Sequence, residues 1–233
     1  MSARRVPFVF IWISLALIGT AAPAAPITPD TIDYGNAVET ANQALLAAQS
    51  ALLDEQSTLQ RDSFLHQQNV QLFQHQAIAE EEFRTSEWKV NHAHIAVELA
   101  QDRIQERTVE QEMAKLHFDF EQGVNVDIGQ LAASNVRLWQ ARLDSARVDQ
   151  RLKMTDRDYR QYEFNVTQHL QASNADSQAN LALANRELQL ATHNAELAEA
   201  LTKQMEGALQ RAKATQTSAR HNAVNRLPRN ESR

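Results

Sequence analysis

LALANRELQLATHNAELAEALTKQMEGALQRA, from Leu181 to Ala212, decides the fold. Leu181, Leu188, Ala195, Thr202 and Leu209 stand seven residues apart, and Ala184, Ala191, Ala198, Met205 and Ala212 fall between them. This three-four alternation keeps one stripe of an α-helix turned towards a neighbour along its whole length, which is the pattern of a coiled-coil seam. Ala at every second core position lets helices approach closely, and that suits an array in which each helix touches two neighbours.

Upstream, Leu131, Leu138, Ser145, Leu152, Tyr159 and Val166 form one heptad row, with Ser134, Ala141, Val148, Thr155 and Tyr162 in the other. Fifteen residues separate Val166 from Leu181, so the register shifts by one. Either a turn near Ala172-Ser173-Asn174-Ala175-Asp176 or a continuous helix with a local break in its supercoil accounts for the shift.

Further back, Phe83, Val90, Val97, Ile104 and Phe118 run beside Ser86, Ala93, Ala100 and Ala114. Trp88, Ile95, Val109 and Leu116 add a third row, so this helix offers a broad apolar face and belongs inside an array. Between the two long segments lies Gly123-Val124-Asn125-Val126-Asp127, a turn in which Gly takes the left-handed conformation and Asp127 caps the next helix. Gly129 weakens only the first turn of that helix.

The first seam holds Ala41, Leu45, Ala48, Leu52 and Leu59, and continues less cleanly to Leu72 and Phe73. A tight connection follows over Gln74 to Ala79, including Ala77 and Ile78. Glu80, Glu81 and Glu82 then suit a helix start, where the macrodipole is positive.

The backbone punctuators agree. No proline occurs between Pro29 and Pro228, and that stretch holds only four glycines, at 35, 123, 129 and 207. Ala, Gln, Leu, Glu and Arg, all good helix formers, dominate. The expected fold is all-α: long antiparallel coiled-coil helices arranged as helical hairpins over residues 36–213, an elongated rod of segments about 65 Å long at ~1.5 Å per residue. Beyond residue 213 the periodicity is lost, and Arg220, Arg226, Arg229 and Arg233 mark residues 214–233 as a disordered basic tail.

At the other end, Arg4 and Arg5 precede the apolar run Val6 to Ile18 and the small residues Thr20 to Ala25, the layout of a secretory signal peptide over residues 1–24. Cleavage after Ala24 leaves a mature chain in the periplasm. An uncleaved inner-membrane anchor is the alternative, but the run is shorter than the ~20 residues a bilayer core requires.

Several chemistries are disfavoured. The formal charge of -6 is mixed along the chain without a basic stripe, so no nucleic-acid footprint is present. The absence of cysteine removes disulfides, thiolate metal sites and a Cys nucleophile. His92 and His94 are two apart and point to different faces of a helix, so no metal site is expected. Nothing near Glu80 to Glu82 would split their pKa values for acid-base work. Trp88, Trp139, Tyr159 and Tyr162 fall on or beside the heptad rows and read as packing. No nucleotide-binding, hydrolase or metalloprotease motif occurs, and an Ala/Leu seam leaves little room for a substrate. Neither an enzyme nor a cofactor is expected.

Residues Ala41 to Ile104 resemble the α-hairpin of periplasmic adaptor proteins, also called membrane fusion proteins, of tripartite efflux pumps and type I secretion systems. The resemblance rests on an Ala/Leu/Gln-rich rising helix, the short turn LFQHQAIAEEEF (Leu72 to Phe83) and an Ala-spaced descending helix. Many such adaptors carry an Arg, a Leu and a Ser at the hairpin tip; Leu72 keeps the Leu, while Gln68 and Ala79 stand in for the other two. The segment Phe120 to Val148 is also similar to the periplasmic helices of TolC-type outer-membrane factors, in which a Gly-Val turn opens a long helix. No lipoyl-like, β-barrel or membrane-strand segment accompanies either likeness.

The resemblance implies a periplasmic coiled-coil component that binds an outer-membrane channel or inner-membrane transporter and forms a homo-oligomer. The turns, Leu72, Phe73, Ala77, Ile78 and Ala79 at one and Gly123, Val124 and Asp127 at the other, are the partner-binding residues it points to. A periplasmic holdase chaperone and a structural spacer are the alternatives.

Overall fold

The computed structural model describes residues 34–173 and 175–225. It is all-α, with four helices: α1 (Tyr34–Gln74), α2 (Glu80–Glu121), α3 (Ile128–Ala172) and α4 (Gln178–Asn225). The signal peptide expected over residues 1–24 lies outside the described residues, as does the end of the chain beyond Asn225.

The helices pack strictly in chain order. α1 lies on α2, α2 on α3 and α3 on α4, and among the described residues no other pair of helices packs. Short turns make each neighbour antiparallel, so the four helices form a single layer with α2 and α3 inside and α1 and α4 at its edges. The third apolar row of α2 is thereby explained: one face meets α1 and another α3.

Burial follows the heptads. On α4, Ala191, Ala195, Ala198, Thr202, Leu209 and Ala212 are buried, with Met205 half-buried between them. On α2 and α3, Leu99 packs with Val148 and Leu152, and Ile95 flanks them. The heptad rows of α3 miss Leu143 and Ala146, both buried; these belong to a second face that the sequence pattern does not separate from the first. Thr202 on α4 donates its hydroxyl to the Ala146 carbonyl at 3.3 Å, which places Ala146 on the side towards α4.

The turns show why the helices stop where they do. At the end of α1, Ala77 N–H bonds to Leu72 O and Gln76 N–H to Phe73 O, a Schellman closure with Gln76 at φ 55°. At the end of α2 the same closure uses Val124 N–H to Asp119 O and Gly123 N–H to Phe120 O, with Gly123 at φ 76°. Asp127 then caps α3, its carboxylate accepting from Gly129 N–H at 2.9 Å.

Of the two accounts of the register shift after Val166, the turn is the one observed. α3 ends at Ala172, and Ser177 opens α4 by accepting from Asn180 N–H at 3.1 Å.

One boundary is corrected. The disordered tail expected from residue 214 does not begin there, because α4 continues to Asn225. Loss of heptad rhythm removes a packing partner, but a helix already nucleated propagates through good formers such as Ala214, Gln216 and Ala219. The hydroxyls of Thr215, Thr217 and Ser218 fold back onto the carbonyls four residues earlier.

Candidate functional site: the two ends and two edges of the layer

The turn residues fall at opposite ends. Leu72 and Phe73 occupy the last turn of α1, with Ala77, Ile78 and Ala79 in the connection to α2. Gly123, Val124 and Asp127 lie at the far end, separated from them by the length of α2, about 60 Å at ~1.5 Å per residue. The two sets therefore make two surfaces, not one.

At the first end, Leu72 and Phe73 are exposed, and the α3–α4 turn brings exposed Leu170 to the same end of the layer. Phe73 is not loose: its ring stacks on Phe83 with centroids 4.6 Å apart. His66 braces the hairpin just below, its Nδ1 lying 2.9 Å from Ser86 Oγ. Glu80, Glu81 and Glu82 form the first turn of α2 as their sequence position implies. At the other end, Phe120, Val124 and Ile128 are exposed around the Gly123 turn.

Below the first end lies an aromatic brace between α2 and α3. Trp88 stacks on Tyr159 with centroids 4.3 Å apart, and the Tyr159 hydroxyl lies 3.0 Å from Thr85 Oγ1. Burial raises the Tyr159 phenol above its ordinary pKa, with Glu163 adding to the rise. Burial likewise raises Tyr162, reinforced by Glu80 and Glu81. A shallow groove beside the brace is lined by Arg84, Glu87, Trp88, Asn91, Thr155 and Asp158.

Charged pairs hold the middle of α2 to α3. Arg142 reaches Glu106 at 3.3 Å and Glu110 at 2.8 Å, and its guanidinium also lies over the Trp139 ring at 5.0 Å. Arg137 meets Glu112 and Arg151 meets Glu98. Beside these pairs, the His92 Nε2 lies 3.3 Å from the Asp156 carboxylate. Asp102 goes the other way: burial, with Asp144 and Glu98 nearby, pushes its carboxyl up. Among the described residues, no group of three or more His, Asp or Glu side chains is placed to hold a metal ion. No helix among them is long and apolar enough to cross a membrane.

Sequence reasoning missed the outer faces of the edge helices. Leu46 and Leu53 on α1 are 65% and 64% exposed, and Leu183, Leu190 and Leu197 on α4 are 55%, 56% and 55% exposed. The signal was present as seven-residue spacing, but the stronger Ala/Leu row on the opposite face of each helix absorbed it.

The fold and these surfaces define a class: an all-α open layer of antiparallel helices with exposed apolar ends and edges. Compared with protein-family models, curated proteins and solved structures, the chain matches none of them.

Proposed function

We propose that this chain is a periplasmic coiled-coil component of a tripartite efflux or type I secretion machine, in which the Leu72 end of the layer docks on an outer-membrane channel or inner-membrane transporter. The observation that carries the reading is the exposure of Leu72 and Phe73 at the tip of a hairpin whose geometry is braced by Phe83, His66 and Ser86. A rigid rod ending in a small apolar patch is built for contact with a protein surface, because apolar side chains held at a tip gain by leaving water. The resemblance of Ala41 to Ile104 to adaptor hairpins supplies the class of partner, and the Arg4–Ala25 layout supplies the compartment.

The test is a photo-crosslinking residue at Leu72 in the native envelope. Capture of one channel or transporter protein is the expected result. Capture of many unfolded polypeptides would replace the reading with a holdase, for which the exposed leucines of α1 and α4 are the favouring observation. Capture of nothing but this chain would leave a spacer.

A further inference from the structure

We propose that the chain assembles side by side with copies of itself, the outer face of α4 in one copy packing against the outer face of α1 in the next. Both faces repeat the seam used inside the chain. On α4, Leu183, Leu190 and Leu197 form one row and Ala179, Arg186, His193, Ala200 and Gly207 the other, with three-four spacing from Ala179 to Ala200; all but half-buried Gly207 are exposed. On α1, Leu46, Ser50, Leu53, Ser57, Gln60 and Phe64 keep the same spacing and are all exposed. A narrow stripe with small residues in it fits a closely approaching helix, whereas a lipid surface favours a broad apolar face bounded by cations.

The occupant follows from register. Gln111 donates to Asn42 and His66 meets Ser86, which sets α1 against α2. Leu99 packs with Val148 and Leu152, and Thr202 meets Ala146, which carries the setting on to α3 and α4. Taken across the layer, these pairings put Leu53, Ala100, Val148 and Ala200 at about one level, and Leu46 at the level of Gly207. Copies standing in the same orientation then set Leu53 opposite Ala200, Leu46 opposite Gly207 and Ser57 opposite Leu197.

At the Leu53, Leu46 and Ser57 levels a large residue meets a small one, as interdigitating helices require, while further up the same register Gln60 meets His193 and Phe64 meets Leu190. Glu39 comes level with Arg211 and Lys213, so the charges at the lower end are also complementary. α1 and α4 run in opposite directions, so the new pair repeats the antiparallel arrangement of the three pairs within the chain. Such a contact joins unlike surfaces and so closes into a ring or extends as a sheet, whereas a two-fold dimer would pair each edge with itself.

The chain has no cysteine, so the contact is tested on the purified full-length mature protein with Leu53→Cys and Ala200→Cys introduced together. The two positions sit on edge helices that do not pack in one chain, so a short bismaleimide linker joins them only between copies. The expected result is a ladder of covalent oligomers beyond the dimer, while each single variant and the off-level pair Leu53→Cys with Leu183→Cys stay uncoupled. Leu190→Glu with Leu197→Glu, at exposed positions, should reduce the ladder at least tenfold while leaving helicity unchanged. Coupling by a single variant alone, equal coupling of the off-level pair, or a chain that remains monomeric at high concentration overturns the proposal. The experiment contains no channel or transporter, so its outcome is separate from that of the tip crosslink.

Discussion

The indole of Trp88 on α2 lies against the phenol ring of Tyr159 on α3, with centroids 4.3 Å apart and planes 16° from parallel, yet the indole N–H is buried with no acceptor among the described residues. The stack stabilises the α2–α3 contact and the unsatisfied donor works against it. Trp88→Phe keeps a ring in place and removes the donor, so it should change stability by less than about 1 kcal/mol. Trp88→Ala loses the stack and leaves a gap, and should cost about 2–3 kcal/mol. Urea unfolding followed by far-ultraviolet circular dichroism measures both, and equal losses in the two variants would show the ring contact to be unimportant.

Tyr159 also sets an alkaline limit. Its folded pKa is raised, chiefly by burial, so the phenol favours folding while it is protonated. That contribution is complete below the ordinary tyrosine pKa of about 10 and is lost as pH rises through the higher folded value. Thermal melts should fall more steeply above pH 10 for the parent chain than for Tyr159→Phe. The ultraviolet titration of the same protein should show two tyrosines, Tyr159 and Tyr162, ionising late, and only one in Tyr159→Phe.

Asp102 is a second case of the same sign, on the acid side. Its carboxyl is raised by burial, with the Asp144 and Glu98 charges adding to the effect. The folded state therefore holds its proton more tightly than the unfolded one, and stability falls as pH rises through that window. Asp102→Asn should raise the melting temperature at pH 7, by less than about 1 kcal/mol in stability after solvent screening. The gain should vanish below pH 4; an equal gain at all pH values would rule out the charge as its source.

Backbone conformation separates two turns that share one closure. Gly123 at φ 76° has open space around the position of a side chain, so Gly123→Ala meets no clash and pays only the left-handed penalty, about 1 kcal/mol. Gln76 holds the equivalent position at φ 55° with a side chain, and Gln76→Gly should relieve that strain and gain up to about 1 kcal/mol. Opposite signs in the two variants, read from denaturation midpoints, are the expected outcome.

The heptad rows of Leu181 to Ala212 and Phe83 to Phe118 made the all-α fold and the interior place of α2 legible before any coordinates, because periodicity is a property of the helix surface itself. Asp127 and Gly123 were legible for the same local reason: capping and left-handed φ are written in single residues. The cross-helix pairs Arg142 with Glu110 and Thr85 with Tyr159 were not, since they depend on the register between helices, which the pattern of one helix does not carry. The Ser177 cap was hidden because Ala172 to Asp176 contains neither Gly nor Pro. The leucines on the outer faces of α1 and α4 were in plain view, but a heptad row reports only that a face is apolar, and whether anything covers it is a fact about the assembled layer.

Helices packed in chain order make stability a sum of neighbour contacts, as in repeat proteins, so the layer should loosen from an edge. α1 is the edge to go first. None of its described side chains is fully buried, whereas α4 at the other edge buries Ala191, Ala195, Ala198, Thr202, Leu209 and Ala212. Inward-facing Glu55, Asp62 and His66 of α1 interrupt its seam with polar groups where α4 has Ala and Leu. Hydrogen exchange by mass spectrometry, at concentrations low enough to keep copies apart, should find α1 amides exchanging first, α4 next, and the Leu99, Val148 and Leu152 levels of α2 and α3 last. Uniform protection from α1 to α4 would mean that the four helices open as one unit.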